Sequence, residues 1–328
     1  MSSATEVRHI GVFTSGGDSP GMNAAIRAVV RAAGVSGLKV SGILGGYDGL
    51  VSDAVRPLGP RDVSNIIQRG GTILRSARSE VFRTAEGRQK AVATMRTHGM
   101  DSLVAIGGDG TFTGANILFK EHGVNVIGLP GTIDNDLAGT DLTIGFDTAI
   151  NTAVEAIDRI RDTASSHDRL FFVEVMGRDT GFIALACAVA AGAEFVLVPE
   201  RPEHIDELVA ALGQASGTKS SSIVIVAEGE EEGGAFDISK KVKARIPNAD
   251  IRVSVIGHIQ RGGSPSVQDR LLASRLGVAA VDGLLEGKHD VMAGVVNGMV
   301  VYTAFEDAIG KRKQLNSDLF RVLSILAT

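Results

Sequence analysis

Residues 128–136 read GLPGTIDND and set two carboxylates, Asp134 and Asp136, just past a glycine hinge. They follow the apolar run 124–127, where a strand would end and a βα loop begin. Pro130 and Gly131 break ladder and helix alike, and two acids one residue apart would be costly to bury in a central strand. Two nearby acids on a rigid, glycine-bounded turn suit proton abstraction or metal binding, while the same string by itself also fits a solvated Asx turn. Residues 14–22, TSGGDSPGM, follow a predicted strand and open a predicted helix. There Gly16 and Gly17 let backbone approach a ligand while helix N–H groups face a phosphate, although a tight structural turn explains the same two glycines. Residues 107–111, GGDGT, set Asp109 among three glycines, where a carboxylate can hold Mg2+ or its water shell beside phosphates. A glycine turn with a helix cap is the plainer account of that string.

The elements that would position these loops alternate along the chain. Short β-branched runs at 10–14, 40–44, 103–106, 124–127, 171–175, 195–198, 223–227 and 253–256 predict strands. Amphipathic stretches at 22–33, 89–98, 148–163 and 205–214 carry the apolar spacing of helices packed on a sheet. This is the βαβ rhythm of parallel sheets covered on both faces, whose ligands lie outside the carboxyl ends of the strands. No repeat of solenoid period and no Pro-rich linker interrupts it, so more than one chain crossing is expected between lobes.

Composition limits the function classes. The 328 residues exceed what one core usually takes, which predicts two α/β lobes. With 41 glycines and 44% hydrophobic residues the chain is globular rather than disordered. Its net charge of −5, with no dense run of Lys and Arg, makes nucleic acid an unlikely partner. Cys187 is the one cysteine, within the apolar segment 182–193; it cannot form an intrachain disulfide, and core packing is its expected role. No apolar run reaches about 18 residues, the length of a membrane span, and residues 1–10 lack the apolar stretch of a signal peptide. The reading is a soluble, cytoplasmic protein with no membrane partner.

Together, GGD at 16–18, GGDGT and PGTIDND resemble the ATP-dependent 6-phosphofructokinase family, and the match runs from Gly11 to about Gly277. GGDGT also recurs in NAD and diacylglycerol kinases. The discriminating strings are PGTIDND, MGR at Met176 to Arg178, and GHIQRGGSP at 257–265, all in family order. The resemblance implies two Rossmann-like three-layer α/β/α lobes with mostly parallel sheets and an active site in the cleft between them. It assigns 1–144 with about 264–310 to a larger ATP-binding lobe, and 145–263 with about 311–328 to a smaller sugar-phosphate lobe. It implies transfer of the γ-phosphoryl group of MgATP to the 1-hydroxyl of fructose 6-phosphate, giving fructose 1,6-bisphosphate in the committed step of glycolysis.

Roles follow from the same resemblance. Asp134 matches the general base, and a carboxylate suffices because phosphoryl transfer needs orientation more than a strong base. Thr132 and Arg178 match groups at the transferring phosphoryl, and Ile133 stands between Thr132 and the base. Asp109 and Asp136 resemble the carboxylates that organise Mg2+, Asp109 foremost. Gly16, Arg78, Ser79, Gly108, Asp109, Gly110 and Thr111 match nucleotide contacts. Met176, Gly177, Arg178 and Glu228 resemble the sugar-binding residues, and Arg169, Arg252, His258 and Arg261, with Ile259 and Gln260 in the same motif, match the 6-phosphate cluster. In the family Arg169 and Arg252 arrive from a neighbouring subunit, which implies an oligomer, usually a tetramer.

The remaining expectations concern donor and regulation. Pyrophosphate-dependent relatives carry Asp and Lys where this chain has Gly110 and Gly131, so both glycines favour ATP. A pyrophosphate-dependent phosphofructokinase and a catalytically silent sugar-phosphate sensor are the other readings, and the sensor would be expected to lack the base or the metal acid. Arg27, Arg31, Arg161, Glu194 and Lys219 match an effector site for ADP or GDP and phosphoenolpyruvate. Pro60 and Gly217 stand where that site usually has cations, which predicts a blunted or altered response. Arg75 stands where glycine is frequent; it either adds a phosphate contact or faces solvent.

Overall fold

The computed structural model describes residues 7–164, 169–201, 205–215 and 222–327. In chain order the elements begin with β1 (His9–Thr14), α1 (Met22–Val35), β2 (Lys39–Ile43), α2 (Tyr47–Val51), β3 (Val55–Pro57), α3 (Ala85–His98), β4 (Ser102–Gly107), α4 (Asp109–His122), β5 (Asn125–Pro130) and α5 (Phe146–Ala164). There follow β6 (Leu170–Val175), α6 (Phe182–Ala190), β7 (Phe195–Leu197), α7 (Ile205–Ala215), β8 (Ser222–Ala227), α8 (Ala235–Arg245) and β9 (Ile251–Val255). The chain closes with α9 (Val267–Leu285), β10 (Val291–Val296), β11 (Met299–Ala304), α10 (Phe305–Gly310) and α11 (Ser317–Leu326). Two compact units result, one from Met1–Ile133, Leu137–Thr148 and Arg261–Lys313, the other from Asp134–Asp136, Ala149–Gln260 and Gln314–Thr328.

The first unit is built on a sheet of order β11-β10-β5-β4-β1-β2-β3. Side chains alternate across it, as strand geometry demands. Ile10, Val12, Val104, Ile106, Ile127 and Leu129 share a core with Ala25 and Val29 of α1 and Leu272 and Leu276 of α9. The intervening Phe13, Leu103, Ala105 and Val126 pack with Met95 of α3, Phe112 and Leu118 of α4 and Phe305 of α10. This is the expected three-layer arrangement, with parallel pairing throughout the centre and antiparallel strand pairs at β2–β3 and β10–β11.

Two features depart from the sequence reading. Pro130 lies within β5, as its last residue, in register with Gly107. The position tolerates proline because the strand stops there: its carbonyl accepts Ile144 N–H at 2.7 Å, and Gly131 N–H returns the ladder to Gly107 O at 3.0 Å. The β10–β11 hairpin was not expected, although Asn297 and Gly298, with φ of 50° and 78°, form the Asn-Gly turn that such hairpins favour.

The second unit carries a parallel sheet of order β7-β8-β6-β9. Leu208 and Leu212 of α7 and Ile238 and Val242 of α8 cover Phe172, Val224 and Val226. α6 packs beside β7 and β8, and α11 packs on α6. Cys187 is buried in α6, and burial pushes its thiol up to about 12. Among the described residues no helix is long and apolar enough to cross a membrane.

Candidate active site

In the first unit β1 has β2 on one side and β4 on the other, so the winding reverses between β1 and β4. The loops leaving these two strands part there, which is where open α/β sheets bind ligands. Ser15 N–H donates to Ile106 O at 3.0 Å, tying the TSGGD loop to the end of β4. A Cβ at Gly107 would stand 2.6 Å from Ser15 O and 2.3 Å from Thr111 Oγ1, so the close approach requires glycine. Gly16, with φ of 83°, comes within 3.8 Å of Thr111 Oγ1, and Gly108 within 3.5 Å of Thr132, both measured from an added Cβ. The three glycine loops recognised in the sequence therefore meet at one edge. Asp109 opens the 14-residue α4 and is half-buried, in the first turn where free N–H groups and the helix dipole favour anions. Ile133 is fully buried.

The loop 70–80 joins this edge through residues that sequence spacing does not mark. Asn23 of α1 donates to Arg69 O and Gly70 O, both at 3.1 Å, and accepts Ile73 N–H at 2.8 Å. Thr14 Oγ1 donates to Arg75 O at 2.8 Å, holding Arg75 in the left-handed region with φ of 59°. Arg75 and Arg78 are both exposed cations. Ser79 Oγ donates to Asp48 Oδ1 at 3.0 Å. Tyr47 is buried, stacks on Phe82, and donates its hydroxyl to Thr111 O at 2.6 Å; burial raises its phenol well above the usual range. Arg261 belongs with this unit, since its Nη1 lies 3.4 Å from Asp18 O and occupies the space beside Gly17, 2.6 Å from where a Cβ would stand. Gly17 thus leaves room for a guanidinium.

The second unit contains Asp134 and Asp136. Asp134 is 7% exposed, and the chain turns at Asn135, whose φ of 55° suits an asparagine. Asp136 is half-buried. The loop after β6 is held from two directions. Gln260, fully buried, accepts Met176 N–H at 2.9 Å. Glu228, at the end of β8, accepts the N–H groups of Gly177 at 3.3 Å and Arg178 at 2.7 Å. Gly229 is obligatory beside it, because a Cβ there would stand 2.1 Å from Arg178 O. Arg178, His258 and Ile259 are exposed.

Arg169 and Arg252 lie elsewhere. Arg169 precedes β6, whereas Met176 follows it, and the six residues of β6 span roughly 20 Å at about 3.3 Å each. Arg252 pairs with Phe171 near the start of the same strand. Within one chain these two arginines stand at the opposite end of the sheet from Met176, Glu228 and His258.

The effector residues are similarly divided. Arg27 is half-buried and Arg31 exposed on α1. Arg161 donates to Ala191 O at 2.6 Å and Gly192 O at 2.9 Å, and buried Glu194 accepts Ile223 N–H at 2.6 Å. Pro60 lines a cavity of about 250 Å³ with His9, Lys39 and Ser41. Lys219 and Gly217 lie outside the described residues.

The family model described as phosphofructokinase matches residues 9–284. The chain belongs to the phosphofructokinase family. Among curated relatives of that family it is 57% identical over 323 residues to the ATP-dependent 6-phosphofructokinase 1 of Thermus thermophilus, covering 98% of this chain and 100% of that protein. It is 55% identical over 314 residues to the ATP-dependent 6-phosphofructokinase of Cytophaga hutchinsonii, covering 95% and 96%. Among solved phosphofructokinases, the Pichia pastoris enzyme in the T-state superposes with a TM-score of 0.88 at 37% identity. That likeness covers 93% of this chain but spans only 35% of the Pichia chain. The pyrophosphate-dependent phosphofructokinase of Marinobacter aquaeolei, at 22% identity and a TM-score of 0.84, shares the fold.

Proposed function

We propose that the chain transfers the γ-phosphoryl group of ATP to the 1-hydroxyl of fructose 6-phosphate, giving fructose 1,6-bisphosphate and ADP as the committed step of glycolysis. One observation carries the reading: the three glycine loops of the family motif converge where the winding of the first sheet reverses, and the third of them runs straight into Asp134. Gly16, Gly108, Asp109 and Gly110 offer backbone N–H groups to phosphates beside Thr111, and Arg78 offers a guanidinium fork. Ser79 adds a hydroxyl held by Asp48. On the acceptor side Met176, Gly177 and Glu228, with Ile259 and Gln260, hold the sugar, and Arg169, Arg252, His258 and Arg261 form the 6-phosphate cluster. Since Arg169 and Arg252 cannot reach His258 within one chain, this reading calls for a second subunit, and we infer a homotetramer.

Asp134 accepts the proton of the sugar 1-hydroxyl as that oxygen attacks phosphorus. Thr132 and Arg178 stabilise the charge on the transferring group. The donor set fits Mg2+, which is commonly held by one or two carboxylates together with substrate phosphates and water rather than by a protein cage. Asp109 and Asp136 would hold it, and the ion would neutralise charge on the β- and γ-phosphates. Arg27, Arg31, Arg161, Glu194 and Lys219 form the effector site in this reading, and the protein works in the cytoplasm.

A coupled assay comparing ATP with pyrophosphate on fructose 6-phosphate tests the donor and the reaction together. Asp134→Ala should lower kcat by about two decades or more with KM little changed, the order that base catalysis contributes. A variant with near wild-type kcat would reassign the base.

A further inference from the structure

Arg169 and Arg252 flank a single carboxylate. Arg169 Nε lies 2.9 Å from Asp250 Oδ2, and Arg252 Nη1 lies 2.5 Å from Asp250 Oδ1. The register brings them together: Leu170 pairs with Ile251 and Phe171 with Arg252 across β6 and β9, so the residues opening both strands share one sheet edge. Leu170 N–H donates to Asp250 O at 3.0 Å, which fixes the backbone beneath the carboxylate. The hydrogen bond from Arg169, and the charges of Arg252 and Arg169, hold the Asp250 carboxyl below its usual range. The carboxyl is therefore ionised at neutral pH.

Two guanidiniums at one edge repel each other, and the carboxylate between them offsets that repulsion. Each guanidinium has five N–H donors. Asp250 takes one bond from Arg169, and Asp250 with Ile251 O engages only Nη1 of Arg252, so among the described residues both forks keep donors for an anion. Lys240 and Lys243 line an adjoining depression of about 470 Å³ with Arg252, adding to the positive field at this edge.

We propose that Asp250 is a positioning residue for the acceptor, its carboxylate holding Arg169 and Arg252 as an ordered pair that meets the 6-phosphate of fructose 6-phosphate. This rests on the assignment of both arginines to that phosphate. Asp250 and Arg252 are near half exposed and Arg169 less so, and ion pairs open to solvent add little to folding stability, so most of the effect of losing the carboxylate belongs in binding.

Steady-state kinetics on the full chain test it, with Asp250→Asn, Asp250→Ser and Asp250→Glu beside Arg169→Ala and Arg252→Ala. The two neutral Asp250 variants should raise KM for fructose 6-phosphate about five-fold, the penalty of re-ordering two long side chains on binding. Their kcat, KM for ATP and Tm should hold, and Asp250→Glu should recover most of the loss. An unchanged KM, a lower KM, which would make the carboxylate a competitor of the phosphate, or a rise that Glu does not rescue overturns the positioning role. If Arg169→Ala and Arg252→Ala also leave KM unchanged, the phosphate assignment itself has failed and takes the role of Asp250 with it. If those two raise KM while Asp250→Asn does not, only the positioning role falls.

Discussion

Glu228 Oε1 accepts the backbone N–H of Arg178 at 2.7 Å, so the end of β8 orders the loop at the end of β6. Arg178 sits there with φ of 55°, a conformation that a long side chain keeps only when its surroundings enforce it. Glu228→Gln retains a carbonyl acceptor and drops the charge, whereas Glu228→Ala loses both. A hydrogen bond to a charged group is worth about 1.5–3 kcal/mol, so Ala should cut kcat/KM for fructose 6-phosphate by about ten- to a hundred-fold and Gln by distinctly less. Equal losses in the two variants would show that charge, not loop order, is what matters at this position.

Gly110 and Gly131 are both expected to favour ATP, yet their surroundings differ. A Cβ at Gly110 meets nothing within 4 Å, while one at Gly131 would stand 2.9 Å from Ile106 Cγ2 and 3.2 Å from Met22 Cε. Gly110→Asp should therefore fold normally, depress kcat/KM for ATP by about ten-fold or more, and leave KM for fructose 6-phosphate in place. Gly131→Ala should instead lower Tm, since the neighbouring side chains must shift; overpacking of this kind costs about 1–3 kcal/mol. An unaltered turnover with ATP in Gly110→Asp would sink the steric account of donor choice.

Asp269 is 1% exposed and receives Gly145 N–H and Thr148 N–H, both at 2.8 Å, together with the Thr148 hydroxyl at 2.5 Å. These are the donors left open at the start of α5. Asp269→Ala would strand them in the interior, at a cost of about 3 kcal/mol or more. Chemical denaturation should show a fall in unfolding free energy of that size, and a loss within experimental scatter of zero would contradict the capping role.

Asp290 immediately precedes β10, and its buried Oδ1 has no hydrogen-bond partner among the described residues. Burial is the main cause that pushes its carboxyl up to about 6, with Glu306 adding to the rise and Lys120 and His289 opposing it. Because the folded value exceeds the unfolded one of about 3.9, its contribution to stability is fully present below the unfolded value. It is lost as pH rises through about 6. Asp290→Asn keeps a residue suited to its φ of 52° and removes the ionisation. Its Tm should exceed wild type at pH 7.5 and converge with it at pH 4, conditions above and below that transition. A Tm difference independent of pH would exclude titration of Asp290 as the cause.

Much of the fold was legible because it is local. The run 103–106 followed by GGDGT reads as strand, glycine turn and helix, and β4, Gly108 and α4 occupy that sequence. Pro130 misled because a proline is forbidden inside a ladder but allowed at its last rung, and spacing does not show where the rung ends. The β10–β11 hairpin has a local signature in Asn297 and Gly298, the pair that tight hairpin turns favour. Tyr47 and Asn23 carried no signal, since a lone tyrosine or asparagine becomes a loop anchor only through the backbone atoms it meets.

The sequence by itself determined the order of strands, glycine loops and helices, the family, and the residue types available for phosphoryl transfer, because backbone propensity and motif spacing are properties of neighbouring residues. Only the tertiary structure decided which of those residues share an edge. It joined Gly16, Gly107 and Thr132 by winding the sheet outward from β1, and it set Arg261 beside Asp18 across 243 residues of chain. It also separated Arg169 and Arg252 from His258 by the length of a strand and paired both with Asp250. Such contacts depend on sheet order and register, which arise from burying both faces of the sheet at once and leave no local trace in the chain.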